Sequence, residues 1–468
     1  MSDRKAIIVI DLGFGDAGKG SIVDMLTRTH DAHTIVRYNG GAQAAHNVVT
    51  PDGRHHTFAQ FGSGTFVPSV KTYLSRYMLV EPLALMNEEL HLSEVGVCDA
   101  LERLFVDHNA LVITPFTRAV NRLQEIARGA ARHGSCGMGI GETVRSAQSY
   151  PEDALVMRDL LDPALLFKKL TFQQKNMRDA VGEFAEALVG NDRYACEEWD
   201  LLNDPHAPET LGQKYVDIAQ KLQIVDDAWA RTLFSLPGVI IFEGAQGVLL
   251  DETYGFPPHN TWSNTTYANA TALLDEFKFV GKRIRLGVLR TYGVRHGPGP
   301  FPTEDHALTA LADTHNIFNH WQREFRLGWF DAVLARYAIQ VSGGIDALAI
   351  TNIDRLAALS EWKIATTYTL GEIQFRNLAI PRESDGFHQE ALTDFLGVAV
   401  PQYETLSISS DDFVHLEQFF AHPLLRKIEE ELAIPITLMS FGPSSTQKYW
   451  RDTIEGKLGE THFIPFSP

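Results

Sequence analysis

The chain is poor in cysteine and has no long apolar run. Its three cysteines, Cys98, Cys136 and Cys196, are odd in number and far apart, so neither a disulfide framework nor a zinc motif is indicated. That fits a reducing compartment. No apolar stretch approaches the ~20 residues that a membrane span needs. The N-terminus enters a strand-like run almost at once, and the expectation is a cytoplasmic protein without membrane contact. Positive charge is also short: 41 basic against 59 acidic residues leave a formal charge of -18, which argues against broad nucleic-acid binding. Any anionic ligand must therefore be met by locally placed Lys, Arg and N–H groups. Internal repeats, low-complexity tracts and clear linkers are absent too. What remains is 468 residues, 44% hydrophobic and 21% charged, a composition that supports a large core and argues against disorder.

The stretch that organises the chain is Gly13-Phe14-Gly15-Asp16-Ala17-Gly18-Lys19-Gly20, between the apolar run Ala6–Ile10 and the helix-patterned Ser21–Leu26. Strand, Gly-rich loop and helix start together make a phosphate cradle, with N–H groups turned toward one anion and Lys19 in reach of a terminal phosphate. The spacing is that of a P-loop, Gly-x4-Gly-Lys, with one change. Where such loops carry a Ser or Thr on Mg²⁺, this chain has Gly20, so the metal needs another oxygen. Asp16 is the nearest candidate, to hold Mg²⁺ or to accept a proton beside a transferring phosphoryl group. A ligand-free Gly-rich turn is the alternative reading.

A second strand, His33–Tyr38, runs into another Gly-hinged loop that ends in His46. Loops at the carboxyl ends of neighbouring parallel strands share one crevice, so His46 is placed to face the phosphate loop, with a structural histidine as the alternative. Phe61–Thr65 reads as a structural turn, with Ser63 free to bond backbone or ligand. Residues 82 to about 130 read as mostly helical with a strand at Ala110–Thr114. His133–Glu142 carries four glycines and suits a phosphate, a ribose or a mobile loop equally. Residues 151 to about 235 read as a helical insert or packing layer. Strands resume at Gly238–Phe242, and Gln246 then sits on a Gly-flanked loop where its amide can both donate to and accept from a heterocycle edge. Thr261–Thr266 is a hydroxyl-rich loop or helix start. Ile284–Leu289 reads as a strand and Thr291–Pro300 as a fixed Gly/Pro loop. Trp321–Asp331 puts arginines ahead of a helix running to about Ser342. Ala347–Asp354 is a strand ending in an acid suited to a guanine edge or a helix cap, and Pro435–Pro443 is one more strand and turn.

Taken together, these segments resemble the adenylosuccinate synthetase family from residue 6 to about 445. The likeness rests on the phosphate loop and on Val36-Arg37-Tyr38 with Gly40-Gly41 and His46. It also rests on Phe242-Glu243-Gly244-Ala245-Gln246-Gly247, Gly299–Glu304 and Gly328-Trp329-Phe330-Asp331. The resemblance implies an α/β fold with a mostly parallel central sheet, flanking helices and a P-loop-like GTP site, in a single domain over residues 1–468, usually a homodimer. It implies a ligase that joins aspartate to C6 of inosine monophosphate with GTP and Mg²⁺, in purine biosynthesis.

By that resemblance, Asp16 takes the N1 proton so that O6 attacks the γ-phosphoryl group, and His46 stabilises the charge that develops there. The 6-phosphoryl ester then loses phosphate to the amine. Lys19 neutralises phosphates, while Mg²⁺ is held by Asp16 and a backbone carbonyl near Ala45. Gln246 takes the hypoxanthine edge, Thr261 the 5′-phosphate and Asp354 the guanine. Further nucleotide contacts fall at Gly13, Gly15, Gly18, Gly20, Gly41, Gln43, Cys136, Asn352, Ser440 and Gly442. Arg323 and Arg326 fall in the amino-acid pocket.

The departures from the family pattern are specific. The loop reads Gly-Asp-Ala-Gly-Lys-Gly where the family has Glu at the third place, which spares base and lysine. Gln43 replaces an Asn that holds the monophosphate, and Ala45 replaces a Gly. Ser135–Gly141 replaces Thr-Thr-Gly-Arg-Gly-Ile-Gly, losing a hydroxyl at Cys136 and an arginine at Met138. The arginine run before Gly328-Trp329 is reduced to Arg323 and Arg326, Asn352 stands for a Lys, and Ser444-Ser445 stands for Asp-Arg. These changes cluster on the acceptor and amino-acid sides. A paralogue using the same chemistry on another purine nucleotide, such as dGMP, or on a specialised nucleoside is the second reading, and Asp16 speaks against the dGMP assignment because the phage relatives commonly lack that acid. A nucleotide-binding regulatory protein without turnover is the reading outside enzymes; Asp16, Lys19 and His46 count against it.

Overall fold

The computed structural model describes residues 4–451, apart from 191, 312–320, 323, 381–385 and 415 and the side chains of 417 and 418. Its centre is a ten-stranded sheet. From one edge the order is Lys448–Trp450, Ile436–Ser440, Ala347–Thr351, Lys282–Arg290, Lys5–Asp11, Val239–Glu243, Thr34–Arg37, Lys71–Leu74, Leu104–Asp107 and Gln223–Val225. Every neighbouring pair is parallel except the first, where Lys448–Trp450 runs against Ile436–Ser440.

The first strand shows why the sheet is covered on both faces. Its side chains alternate, so Ala6, Ile8 and Ile10 enter one core while Ile7 and Val9 enter another with Ile22, Val23 and Leu26 of the helix Lys19–Thr29. All five are at most 2% exposed, each worth about 1.5–3 kcal/mol of burial for the large ones. The loops that follow Asp11, Arg37 and Glu243 leave neighbouring carboxyl ends of the sheet, where α/β folds place their ligands.

The strand expected at Ala110–Thr114 lies elsewhere. The sheet position next to Lys71–Leu74 is filled by Leu104–Asp107, and residues 110–114 make only isolated bridges, Val80 with Val112 and Leu111 with Val156. Both runs are apolar; what separates them is that Leu104–Asp107 meets Lys71–Leu74 in register while the other is drawn away by the helix Pro115–Arg128, capped by Thr114. The helix-rich insert is present: Pro163–Val189, Arg193–Asn203 and Ala207–Ala219 share a second core with Pro115–Arg128, one that also takes Leu74, Leu104 and Val106 from the sheet. Asp162 opens the longest of them by accepting from the N–H groups of Ala164 and Leu165. The arginine-bearing segment before residue 332 is not all loop, since Phe325–Gly328 pairs antiparallel with Gly293–His296. A smaller sheet of Phe330–Asp331, Glu361–Leu370, Ile373–Phe375 and Val400–Ser407 was not foreseen. Among the described residues no helix is long and apolar enough to cross a membrane, and all three cysteines are free thiols.

Candidate active site

The phosphate loop leaves the sheet at Asp11 and enters a helix at Lys19. Gly18 caps that helix in the left-handed region at φ 87°, with no side-chain cap and no acid in the first turn. The helix N–H groups are thus open to an anion. Gly20 is glycine for a local reason: a Cβ there would lie 2.8 Å from the Cβ of His46. The loop has traded the usual hydroxyl for close approach of the histidine. Gly247 does the same service opposite, where a Cβ would fall 2.2 Å from the Gly13 carbonyl oxygen.

Three expected site residues, Asp16, Gln246 and Asn352, each leave a different strand of the sheet in the left-handed region, at φ 58°, 55° and 57°. Strain of this kind in non-glycine residues persists only where the surroundings hold it. For Asp16 the holders are visible. The Arg290 Nε donates to its carbonyl oxygen at 2.5 Å, and His296 Nε2 lies 2.8 Å from its Oδ2. Burial works to raise the Asp16 pKa, but the His296 hydrogen bond and the charges of Arg290 and Lys19 outweigh it and hold it at about 2. The side chain keeps about a third of its surface open to the cleft (31%).

His46 sits against the first turn of the same helix. Its Nδ1 lies 2.6 Å from Glu243 Oε1, and Glu243 also accepts from the Ser63 N–H at 2.9 Å and from the Ser63 hydroxyl. Burial raises the Glu243 pKa, but Arg37, His46 and Ser63 together take it down to about 2. Burial also lowers that of His46, helped by Arg37 and Lys19 and opposed by Glu243. The pair is therefore carboxylate and neutral imidazole, with the proton on Nδ1 because the carboxylate only accepts. That leaves Nε2 as the group free to act.

Around Gly40 and Gly41 the polar groups are unmatched. Both amide atoms of Gln43 and the Oε1 of Gln246 are buried without a hydrogen-bond partner. They flank Gly40 and Gly41, where a Cβ would lie 2.9 Å from Gln246 Oε1 and 3.1 Å from Gln43 Oε1 respectively. Buried amides left open in this way point to a missing polar ligand. Asn39 fixes the Gln246 loop by exchanging two hydrogen bonds with Ala245, at 2.8 and 3.1 Å. Cys136 is half-buried, and burial pushes its thiol up to about 11. Thr261 lies in the loop before the helix Ala268–Glu276, its N–H bound to the Leu250 carbonyl. Asp354 is half-buried with its pKa raised by that burial, and Ser440 donates to the Gly442 carbonyl.

Arg326 has its guanidinium committed. It binds both oxygens of Glu304, at 2.9 and 2.5 Å, and the carbonyls of Gly297 and Gly299. In this arrangement it braces the Gly/Pro loop and has no fork left for a carboxylate. Arg323 lies outside the described residues. The residues that sequence reasoning passed over are Asp11, Glu243, Arg290 and His296, while Ser63, free to bond backbone or ligand, reads there as part of a structural turn. Only Asp11, an acid closing an apolar run, and Glu243, an acid closing a strand before Gly-Ala-Gln-Gly, carried a visible signal.

A family model described as adenylosuccinate synthetase matches residues 8–449, nearly the whole chain. The chain belongs to the adenylosuccinate synthetase family. Among curated relatives, the adenylosuccinate synthetase of Chlorobium chlorochromatii (strain CaD3) is 30% identical over 468 aligned residues, covering 95% of this chain and 97% of that one. That of Thermosynechococcus vestitus is 31% identical, covering 94% and 93%. Among solved structures, fully ligated adenylosuccinate synthetase from Plasmodium falciparum superimposes with a TM-score of 0.76 at 21% identity, over 95% of this chain and 99% of that one. The cyanophage S-2L succinoaminodeoxyadenylate synthetase, PurZ, bound to dGMP and to dATP as an energy donor, gives 0.58 at 17% identity over 96% of both. Family membership makes the chain a carbon–nitrogen bond-forming ligase, and the expected parallel α/β fold is the one found.

Proposed function

We propose that the chain joins L-aspartate to C6 of inosine monophosphate, consuming GTP through a 6-phosphoryl purine. The observation that carries this reading is Asp16, an ionised carboxylate held in a left-handed turn of the phosphate loop with one oxygen on His296 and one open face. A carboxylate this acidic is a weak base toward a resting N1–H. It becomes competent as O6 bonds to phosphorus, because the ring then withdraws electrons from N1, and proton transfer and attack proceed together. Lys19 and the open helix N-terminus stabilise the triphosphate. Polyphosphate placed near His46 favours the imidazolium, so that Nε2 donates to the transferring group while Glu243 balances the charge from behind.

Mg²⁺ fits the donor set. Mg²⁺ is commonly held by one carboxylate with substrate phosphates and water, and the Asp16 carboxylate keeps an open face beside the helix N-terminus. Asp16 would supply that carboxylate and the backbone near Ala45 a carbonyl; when bound, the ion would neutralise charge on the phosphates. Gln246, with its open Oε1, suits the purine edge, and Gln43 the monophosphate end. The remaining expected nucleotide contacts, Thr261 and the Asn352–Asp354 and Ser440–Gly442 turns, are offered as the 5′-phosphate and guanine contacts. We read the protein as a cytoplasmic homodimer, as its family usually is.

A second acceptor, dGMP, is the alternative, since the open Gln246 Oε1 can accept from a guanine N–H as it can from hypoxanthine. The deciding experiment is phosphate release across a matrix of purine nucleotides and amino acids, with oxygen-18 at O6. Label that appears in phosphate only with IMP and aspartate supports the first reading. Release with dGMP selects the second, and release without label transfer removes both.

A further inference from the structure

The phosphate loop already contains an anion of its own. Asp11 is 1% exposed, and its carboxylate accepts from the N–H of Gly13 at 2.8 Å through Oδ1 and from the N–H of Ala17 at 2.8 Å through Oδ2. The same Oδ2 takes the Lys19 ammonium at 3.0 Å, and Lys19 gives a second bond, 2.6 Å, to the carbonyl oxygen of Gln246. Two loop N–H groups that a bare cradle would turn to a phosphate are thus bound from beneath by the protein. An ammonium has three donors, so Lys19 keeps one.

We propose that Asp11 is a positioning residue of the phosphoryl-transfer site: an internal counter-anion that closes the loop before nucleotide arrives and aims the third donor of Lys19, at the cost of weaker triphosphate binding. The inference rests on the functional reading above and deepens it. Its physics is short. A carboxylate 3.0 Å from the lysine cancels much of the field a polyphosphate feels, so ground-state attraction falls. In return, the loop and lysine are fixed where the transferring phosphoryl group needs them, and interactions that count in the transition state are kept. Tying Lys19 to the Gln246 carbonyl also links the phosphate loop to the turn that carries the open purine-facing amide. Asp11 cannot shift its charge to water, because its side chain is fully buried beneath the loop and its partners are Gly13, Ala17 and Lys19.

The test is Asp11→Asn in the full chain. Its Nδ2 is a donor where an acceptor is needed, and the lysine's charge is left uncompensated. Mg²⁺-GTP, and Mg²⁺-ATP in parallel, are titrated calorimetrically into wild type and variant with neither acceptor nor amino acid present, and turnover is measured separately. The proposal expects triphosphate affinity to tighten roughly three- to tenfold while turnover falls more than about tenfold, opposite directions that a mere fold defect does not produce. Unchanged or weaker affinity overturns it. Wild type that binds neither triphosphate overturns the functional reading and this inference with it, whereas wild-type binding without the shift overturns this inference alone. Should Asp11→Asn not fold, Lys19→Met is compared with Lys19→Met/Asp11→Asn by thermal unfolding. A buried carboxylate stripped of its lysine makes the single variant the less stable of the two, and a double variant no more stable than the single overturns the proposal.

Discussion

The two sides of the cleft are built to different standards. On the phosphate side each of the three carboxylates has its match: Asp11 with Lys19, Asp16 with His296, Glu243 with His46 and Ser63. On the acceptor side, the buried amides of Gln43 and Gln246 end without partners, and the arginine expected to meet a carboxylate is spent on Glu304. The difference teaches where a ligase of this kind keeps its chemistry constant and where it leaves room for another substrate. Preorganised donors and charges serve the transition state, and unmatched polar groups wait for a ligand that will penalise any analogue failing to pair them.

The comparison breaks most sharply at Asp16. Asp16→Asn should lower turnover by more than about 10³-fold while leaving triphosphate affinity within roughly tenfold, or 1.4 kcal/mol. Near-normal phosphate release from that variant, measured with acceptor and amino acid present, refutes its role as base. Next is Glu243→Gln, which keeps the shape but turns a donor toward His46 and spoils its tautomer. Turnover should fall about 10²- to 10⁴-fold with little change in the KM of any substrate; a pure KM effect would place His46 outside the chemical step.

On the acceptor side the expected effects are smaller and concern binding. Gln43→Asn should change the KM for IMP and for dGMP alike, by roughly tenfold, and leave the KM for the triphosphate alone. A nucleotide KM that does not move would show that the Gln43 amide does not meet the monophosphate. Arg326→Lys tests whether that residue is brace or ligand. As a brace it loses about 1–2 kcal/mol of stability, seen as a lower melting temperature, with the KM for the amino acid nearly unchanged. The opposite pattern, an unshifted melt and a large KM rise, returns Arg326 to the amino-acid pocket.

The subtlest expectation concerns acid. Both His46 and Glu243 have folded-state pKa values below their unfolded ones, so the unfolded chain binds more protons and stability rises with pH. The contribution is complete above about pH 6.5, begins to fall as unfolded histidine protonates, and falls further from about pH 4.3 toward the Glu243 value near 2. Denaturant midpoints for wild type and Glu243→Gln should converge as pH falls through that lower window. Parallel curves would mean that the carboxylate is not held as described.

Much of this was legible from residues in order. The phosphate loop, the strands at 34–37, 239–243, 282–290 and 347–351, and the helical insert all declare themselves by apolar period and by glycine at their ends. The strand at 104–107 did not, because two short apolar runs compete there and only pairing with residues 71–74 decides between them. His296 was hidden by its setting in a Gly/Pro-rich loop, and Ser63 by a turn that explained it well enough. Each acts through a residue far along the chain, Asp16 and Glu243, and contacts of that separation leave no local spacing to read. Arg326 shows the reverse failure. Its charge was visible, but whether a guanidinium faces a ligand or its own loop is settled only by Glu304 and two carbonyls.

The tight packing of Gly20 on His46 carries one more lesson. A Cβ at that position would meet the Cβ and the backbone carbonyl carbon of His46 and the Ser63 hydroxyl, so the hydroxyl that holds metal in most nucleotide-hydrolysing loops and the backbone that carries this histidine are rival tenants of a single space.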